Sequence, residues 1–117
     1  MNSQKLLSPK NQNGVSEISA EDLLPHFNQV KLVDVRRPDE FTGELGHIPG
    51  SVLVTLGEEL VQFLKQQDPH EEMVFVCRSG VRSATACQIG IQLGFKTVIN
   101  LEGGMIRWNE LKYPTQK

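Results

Sequence analysis

An α/β domain with a parallel sheet and helices on both faces is the fold class the sequence predicts, and three observations carry it. Apolar, β-branched-rich runs recur at Val30 to Val35, Val52 to Val54, Met73 to Val76 and Val98 to Leu101, and segments with helical signals separate them. The middle runs are continuously apolar rather than alternating, as strands covered on both faces are. Met73-Val74-Phe75-Val76 leads straight through Cys77-Arg78-Ser79-Gly80 into a helical pattern that starts near Ser83, so strand, tight loop and helix N-terminus follow without a spacer. A chain of 117 residues is one domain, large enough to bury a single core without staples.

Taken in order, residues 1–14 are polar, with only Leu6 and Leu7 to bury, and read as a flexible N-terminal extension to a domain spanning residues 15–117. No apolar stretch of the ~7–15 residues of a signal peptide or the ~18 of a membrane span is present, so a cytoplasmic protein is expected. Val15 and Ile18 mark a short strand. Ser19, with Asp22 three residues on, is a helix N-cap signal, and Leu23, Leu24 and Phe27 then face inward. Asp34 interrupts the next strand. An unpaired buried carboxylate costs several kcal/mol, so Asp34 is expected to anchor loop backbone by hydrogen bonds. Pro38, Asp39 and Glu40 predict the first turn of a short helix. Gly43 to Gly50 is a loop dense in turn residues. Val52 to Val54 is a short strand, and the following helix has Glu58 and Glu59 early, Lys65 late, and Leu60, Val61 and Leu64 towards the core. The helix from Ser83 to Leu93 has only Thr85, Gln88 and Gln92 as a polar stripe, which predicts a mostly buried element with Cys87 in core packing. Gly94-Phe95 ends it. After the last strand, Gly103-Gly104 precedes a helix with Met105, Trp108 and Leu111 on one side, Trp108 as core anchor.

The chemistry concentrates at Cys77. A cysteine at a strand tip, followed by a Gly-containing turn and a helix N-terminus, sits where backbone N–H groups cradle an anion. Such a setting with cations nearby lowers a thiol pKa from ~8.5 towards ~3.5–7.5, and the thiolate is the nucleophile. Arg78 and Arg82 add positive charge and forked donors for an anionic substrate. Gly80 suits a tight loop that needs φ > 0 or close backbone approach. His47 would be the usual general base, but a preformed thiolate needs none, which favours a structural hydrogen-bonding role for it. No Cys/His spacing suggests a metal site. The net charge of -2 with balanced signs argues against a nucleic-acid surface. Two cysteines are too few for a secreted disulfide scaffold. The rise from Ser83 to Cys87 alone is about 6 Å, so with the loop added the pair exceeds the ~7 Å Cα limit for a bridge.

Four stretches in order resemble the single-domain rhodaneses, a family of sulfurtransferases. They are Leu32-Val33-Asp34-Val35-Arg36 with Pro38 and Glu40-Phe41, then Gly46-His47-Ile48-Pro49-Gly50, then Cys77 to Ser83, and finally Gly103-Gly104 with Trp108. The resemblance runs from about Val15 to Tyr113; Ser51, where the family more often has Ala, is a minor departure. It implies a five-stranded parallel sheet with helices on both faces. Cys77 would take the outer sulfur of thiosulfate or a similar small anionic donor as a persulfide, and release it to cyanide, a thiol or a dithiol protein. In these terms Cys77 is catalytic; Arg78, Ser79, Gly80, Val81, Arg82 and Ser83 bind the substrate through side chains and N–H groups; Asp34, Arg36 and His47 support the site. No metal, organic cofactor, nucleic acid or membrane is implied. Two rivals stay open: a cysteine-dependent phosphatase on the same fold, and a persulfide carrier or protein-binding module. Phosphatases of this kind place one residue more between Cys and Arg than the four found here between Cys77 and Arg82.

Overall fold

In the computed structural model, which describes residues 6–12 and 14–117, strands and helices alternate as the sequence predicts. The strands are β1 (Lys10–Gln12), β2 (Val15–Ile18), β3 (Lys31–Asp34), β4 (Val52–Leu53), β5 (Met73–Val76) and β6 (Val98–Leu101). The helices are α1 (Ala20–Leu23), continued by a 3-10 turn (Leu24–His26), α2 (Pro38–Phe41), α3 (Glu58–Lys65), α4 (Val81–Gln92) and α5 (Gly104–Glu110). The local signals act where they stand. Ser19 Oγ accepts from Asp22 N at 3.1 Å, closing the N-cap of α1. Gly94 takes φ +96° and Phe95 N returns to Gly90 O at 2.9 Å, ending α4 and burying Phe95.

Strand order is β1-β2-β6-β5-β3-β4, with β1 antiparallel to β2 and every other pairing parallel. This corrects the five parallel strands: the sheet has six and is mixed. The extra strand comes from the segment read as a flexible extension. Gln12 pairs with Val15, and the intervening sequence Asn-Gly is the pair most favoured in two-residue hairpin loops. Gly14 has φ +83° and its N–H donates to Asn11 Oδ1 at 3.1 Å. Ahead of the strand, Leu7 is buried in the core, and the N–H groups of Leu6 and Leu7 reach the Glu72 carboxylate at 3.2 and 3.4 Å. Polar β1 carries no hydrophobic alternation, so only the hairpin pair signalled it. Residues 1–5, the rest of the expected extension, lie outside the described residues.

Each face of the sheet has its own core. On one, Val33, Phe75 and Val98 meet Leu60 and Leu64 of α3 and Ala86 and Cys87 of α4. On the other, Leu32, Val74, Ile99 and Leu101 meet Leu23 of α1 and Met105 and Trp108 of α5. Trp108 is fully buried between Phe27 and Tyr113, its Nε1–H on Pro114 O at 2.7 Å. The reading of α4 as mostly buried is corrected. Only its Ser83, Ala86, Cys87 and Gly90 face is buried, while Val81 is 72% and Ile91 47% exposed. Small residues on that face let the helix axis approach the sheet: a Cβ at Gly90 would lie 3.2 Å from Val98. Among the described residues, no helix is long and apolar enough to cross a membrane.

Candidate active site

The parallel register brings the carboxyl ends of β3, β5 and β6 to one edge, where ligands of open α/β sheets bind. Cys77 leaves that edge directly after β5 and is buried. Its Sγ lies 3.0 Å from Gly80 N, 3.4 Å from Ser83 N and 3.2 Å from Ser83 Oγ. Ser79 N–H adds a further donor.

The start of the loop is held from outside by α5. Met105 N–H donates to Cys77 O at 2.9 Å and Ile106 N–H to Arg78 O at 3.0 Å. In a trans peptide the carbonyl and the next N–H point in opposite directions, so holding Arg78 O outward turns the Ser79 N–H towards the sulfur. Such close approach requires Gly104: its φ is +56°, and a Cβ there would sit 2.5 Å from both carbonyl oxygens. Gly80, with φ +106°, opens α4 in the left-handed region.

Burial alone would raise the Cys77 thiol; the Ser83 hydroxyl, with the N–H groups of Ser83, Gly80 and Ser79, outweighs it and lowers the thiol below its ordinary value. The expected agents were the N–H cradle and the two arginines; the lowering comes from the cradle's N–H groups together with the Ser83 hydroxyl. Arg82 is otherwise engaged: its two terminal nitrogens fork onto the Glu40 carboxylate at 2.7 and 2.8 Å. That fork holds the Glu40 carboxyl at about 2 against partial burial, helped by the Arg37 N–H and both guanidinium charges. Arg82, expected to bind an anionic substrate, stands near Cys77 as half of an ion pair tying α4 to α2. Arg78 is exposed and lines a cleft of about 230 Å³ with Arg36, Asp39, Glu40, Gly43, Glu44 and Leu45. Val81 points its side chain to solvent.

Asp34 and Arg36 form a buried, bidentate pair. Asp34 Oδ1 accepts from Arg36 Nε at 2.9 Å and Oδ2 from Nη2 at 2.8 Å, and Nη2 also donates to Gly46 O at 2.7 Å. The pair thus fixes the end of β3 to the Gly-rich loop. His47 lies in that loop, stacked on Phe41 with ring centroids 3.7 Å apart, its Nδ1 on Phe41 O at 2.9 Å. A carbonyl partner requires Nδ1 to carry the proton. Its backbone pairs with Gln116 in an isolated bridge.

Two participants, Glu40 and Asn100, were given no role at the site from sequence. Glu40 meets Arg82 across 42 residues, a distance at which no local signal operates. Asn100 is buried in β6, its Oδ1 accepting from Ser83 Oγ and its Nδ2 donating to Gly80 O at 3.0 Å and Glu17 Oε2 at 3.1 Å. A polar residue inside an apolar strand, the signal that marked Asp34, also marks Asn100. Among the described residues no cluster of three His, Cys, Asp or Glu could hold a metal ion.

Residues 19–111 match the Rhodanese-like domain family. A sulfurtransferase of Allochromatium vinosum is 37% identical over 98 residues, covering 80% of this chain and 88% of its own. The thiosulfate sulfurtransferase GlpE of Shewanella oneidensis is 36% identical over 81 residues, covering 69% of this chain and 77% of its own. Among solved structures, a rhodanese-like domain protein from Staphylococcus aureus superposes with a TM-score of 0.72 at 27% identity, covering 86% of this chain and 98% of that one. These relatives support sulfur transfer as the general activity. With a matched segment that contains the Cys77 loop, the Asp34–Arg36 pair and the Gly103-Gly104 turn, this chain belongs to the rhodanese-like domain family.

Proposed function

We propose that the chain is a thiosulfate-type sulfurtransferase working through a persulfide on Cys77. The observation that carries this reading is the donor set on Cys77 Sγ, with Gly80 N at 3.0 Å and Ser83 Oγ at 3.2 Å inside a loop only four residues long between Cys77 and Arg82. The thiolate attacks the outer sulfur of thiosulfate. A new S–S bond forms to Sγ, the donor's S–S bond breaks, and its electron pair leaves with sulfite. The negative charge passes from Sγ to the outer sulfur, where loop N–H groups stabilise it. An acceptor thiolate, free or on a dithiol protein, then attacks that outer sulfur and returns Cys77 to the thiolate; cyanide does the same in an assay. Exposed Arg78 at the cleft is the cation available to the anionic donor.

Loop length disfavours phosphoryl chemistry. A tetrahedral phosphoryl group needs a ring of N–H donors wide enough for its oxygens, and one residue fewer narrows that ring, whereas a single sulfur atom fits. Misplacement of ~1 Å costs on the order of 10²-fold in rate. Intact mass after thiosulfate treatment tests the proposal: wild type gains one sulfur atom, Cys87→Ala does too, and Cys77→Ser gains none. Cys77-dependent turnover of an aryl phosphate without any sulfur adduct would overturn it.

A further inference from the structure

The register sets Glu17 beside Asn100 and Asn100 beside Phe75, so Glu17 and Asn100 share the sheet face covered by α4, directly behind Cys77. The orientation of the Asn100 amide is decided by its neighbours. Gly80 O and the Glu17 carboxylate are acceptors only, so the NH₂ group faces them and Oδ1 faces Ser83 Oγ. A hydroxyl has one proton. Ser83 Oγ has two claimants for it, Asn100 Oδ1 and Cys77 Sγ at 3.2 Å. When Sγ is a thiol, it can donate to Ser83 Oγ while the Ser83 proton goes to Asn100, and every group is satisfied. When Sγ is a thiolate, the charge-assisted bond to sulfur draws the proton away and leaves Asn100 Oδ1 buried without a donor.

We propose that Asn100, held by Glu17 and the Gly80 carbonyl, is a positioning residue that competes with Cys77 Sγ for the single proton of Ser83 and so switches that proton according to where the sulfur charge lies. The inference rests on the persulfide reading for its last step. Once the outer sulfur carries the charge, neutral Sγ is a poor acceptor and the Ser83 proton returns to Asn100. The competition therefore favours the loaded state over the bare thiolate. It also keeps the thiolate less stabilised, and hence more nucleophilic, than the N–H cradle alone would. The charged groups around this chain are Glu17 from β2, Arg78 in the loop, Arg82 of α4 with its partner Glu40 from α2, and the Asp34–Arg36 pair after β3.

The experiment is a double-mutant cycle on the pH dependence of Cys77 alkylation by iodoacetamide, read site by site by mass spectrometry. Ser83→Ala should raise the midpoint. Asn100→Val, relative to its effect in the Ser83→Ala background, should lower it by about 0.5–1 pH unit, that is ~3–10-fold more thiolate below the midpoint. Equal shifts in both backgrounds overturn the proposal, because loosened packing or the freed Glu17 charge would act in both. Should Asn100→Val not fold, the wild-type protein still decides. The Asn100 side-chain amide resonances should move with the Cys77 midpoint and move back on thiosulfate loading; resonances that ignore Cys77 ionisation overturn it. If no sulfur adduct forms at all, the persulfide reading fails while the pH arms still judge the competition.

Discussion

Cys77 and Cys87 are ten residues apart, both buried, and differ in almost everything that matters chemically. Cys87 packs in the α4 face against the sheet, where burial, with a smaller contribution from the Glu17 charge, pushes its thiol up to about 12. Cys77 is also pushed up by burial, yet the Ser83 hydroxyl and three loop N–H groups bring it below its ordinary value. Depth is thus a weak guide to a cysteine's reactivity. Whether hydrogen-bond donors converge on the sulfur decides it, and a helix offers spare N–H groups only at its first turn. Cys77 precedes that turn and Cys87 lies in the middle of α4, where the N–H groups are already committed.

The largest contrast is in reactivity. With Cys87 at about 12 and Cys77 below the ordinary 9.0, their thiolate fractions at neutral pH differ by at least about 10³-fold. Iodoacetamide should therefore label Cys77 alone under conditions that leave Cys87 unmodified; comparable rates would erase the distinction. Next comes Gly104→Ala, which should make Cys77 behave more like Cys87. Its Cβ would meet the Cys77 and Arg78 carbonyls at 2.5 Å, so the loop must move and its N–H groups turn from the sulfur. A loss of about 2–3 kcal/mol in denaturant stability and slower Cys77 alkylation are expected.

The two thiols should also leave opposite marks on stability at high pH. Cys77, with a lowered folded-state value, adds stability as pH rises from its folded value to 9.0; Cys87, raised, subtracts stability between 9.0 and about 12. Urea titrations of wild type and Cys87→Ala should therefore diverge above pH 9.0, wild type losing up to about 1.4 kcal/mol per pH unit more than the variant. Parallel curves would mean that Cys87 ionises without strain. The smallest effect is that of Glu40→Gln. Weakening its pair with Arg82 costs less than about 1 kcal/mol, since the pair is partly exposed, and frees a cation beside Cys77. A KM for thiosulfate lowered a few-fold is the expected outcome, and an unchanged or higher KM would show that Arg82 serves the site better paired.

Much of this was legible in the sequence because its signals are local. The Ser19 cap, the Gly94-Phe95 stop, the strand-loop-helix at Cys77 and the alternation of elements each depend on dihedral preference or periodicity within a few residues. Asp34 was identifiable as an anchor because a carboxylate in an apolar strand must be paired, although its partner Arg36 is a matter of geometry. Tertiary structure alone chose among chemically equivalent partners. Arg82 could equally have faced an anionic substrate, and only the fold, which brings Glu40 of α2 within reach of the first turn of α4, gives its fork to Glu40. Residues 6–12 read as a solvated extension because their polarity is real; they dock because Leu7 finds the core and the backbone of β1 finds the free edge of β2, and backbone pairing is nearly blind to side chains. Gly104 and Asn100 matter to Cys77 through contacts with its carbonyl and with Ser83 that cross 27 and 17 positions of chain, a closeness produced by sheet register and helix docking rather than by any pattern along the sequence.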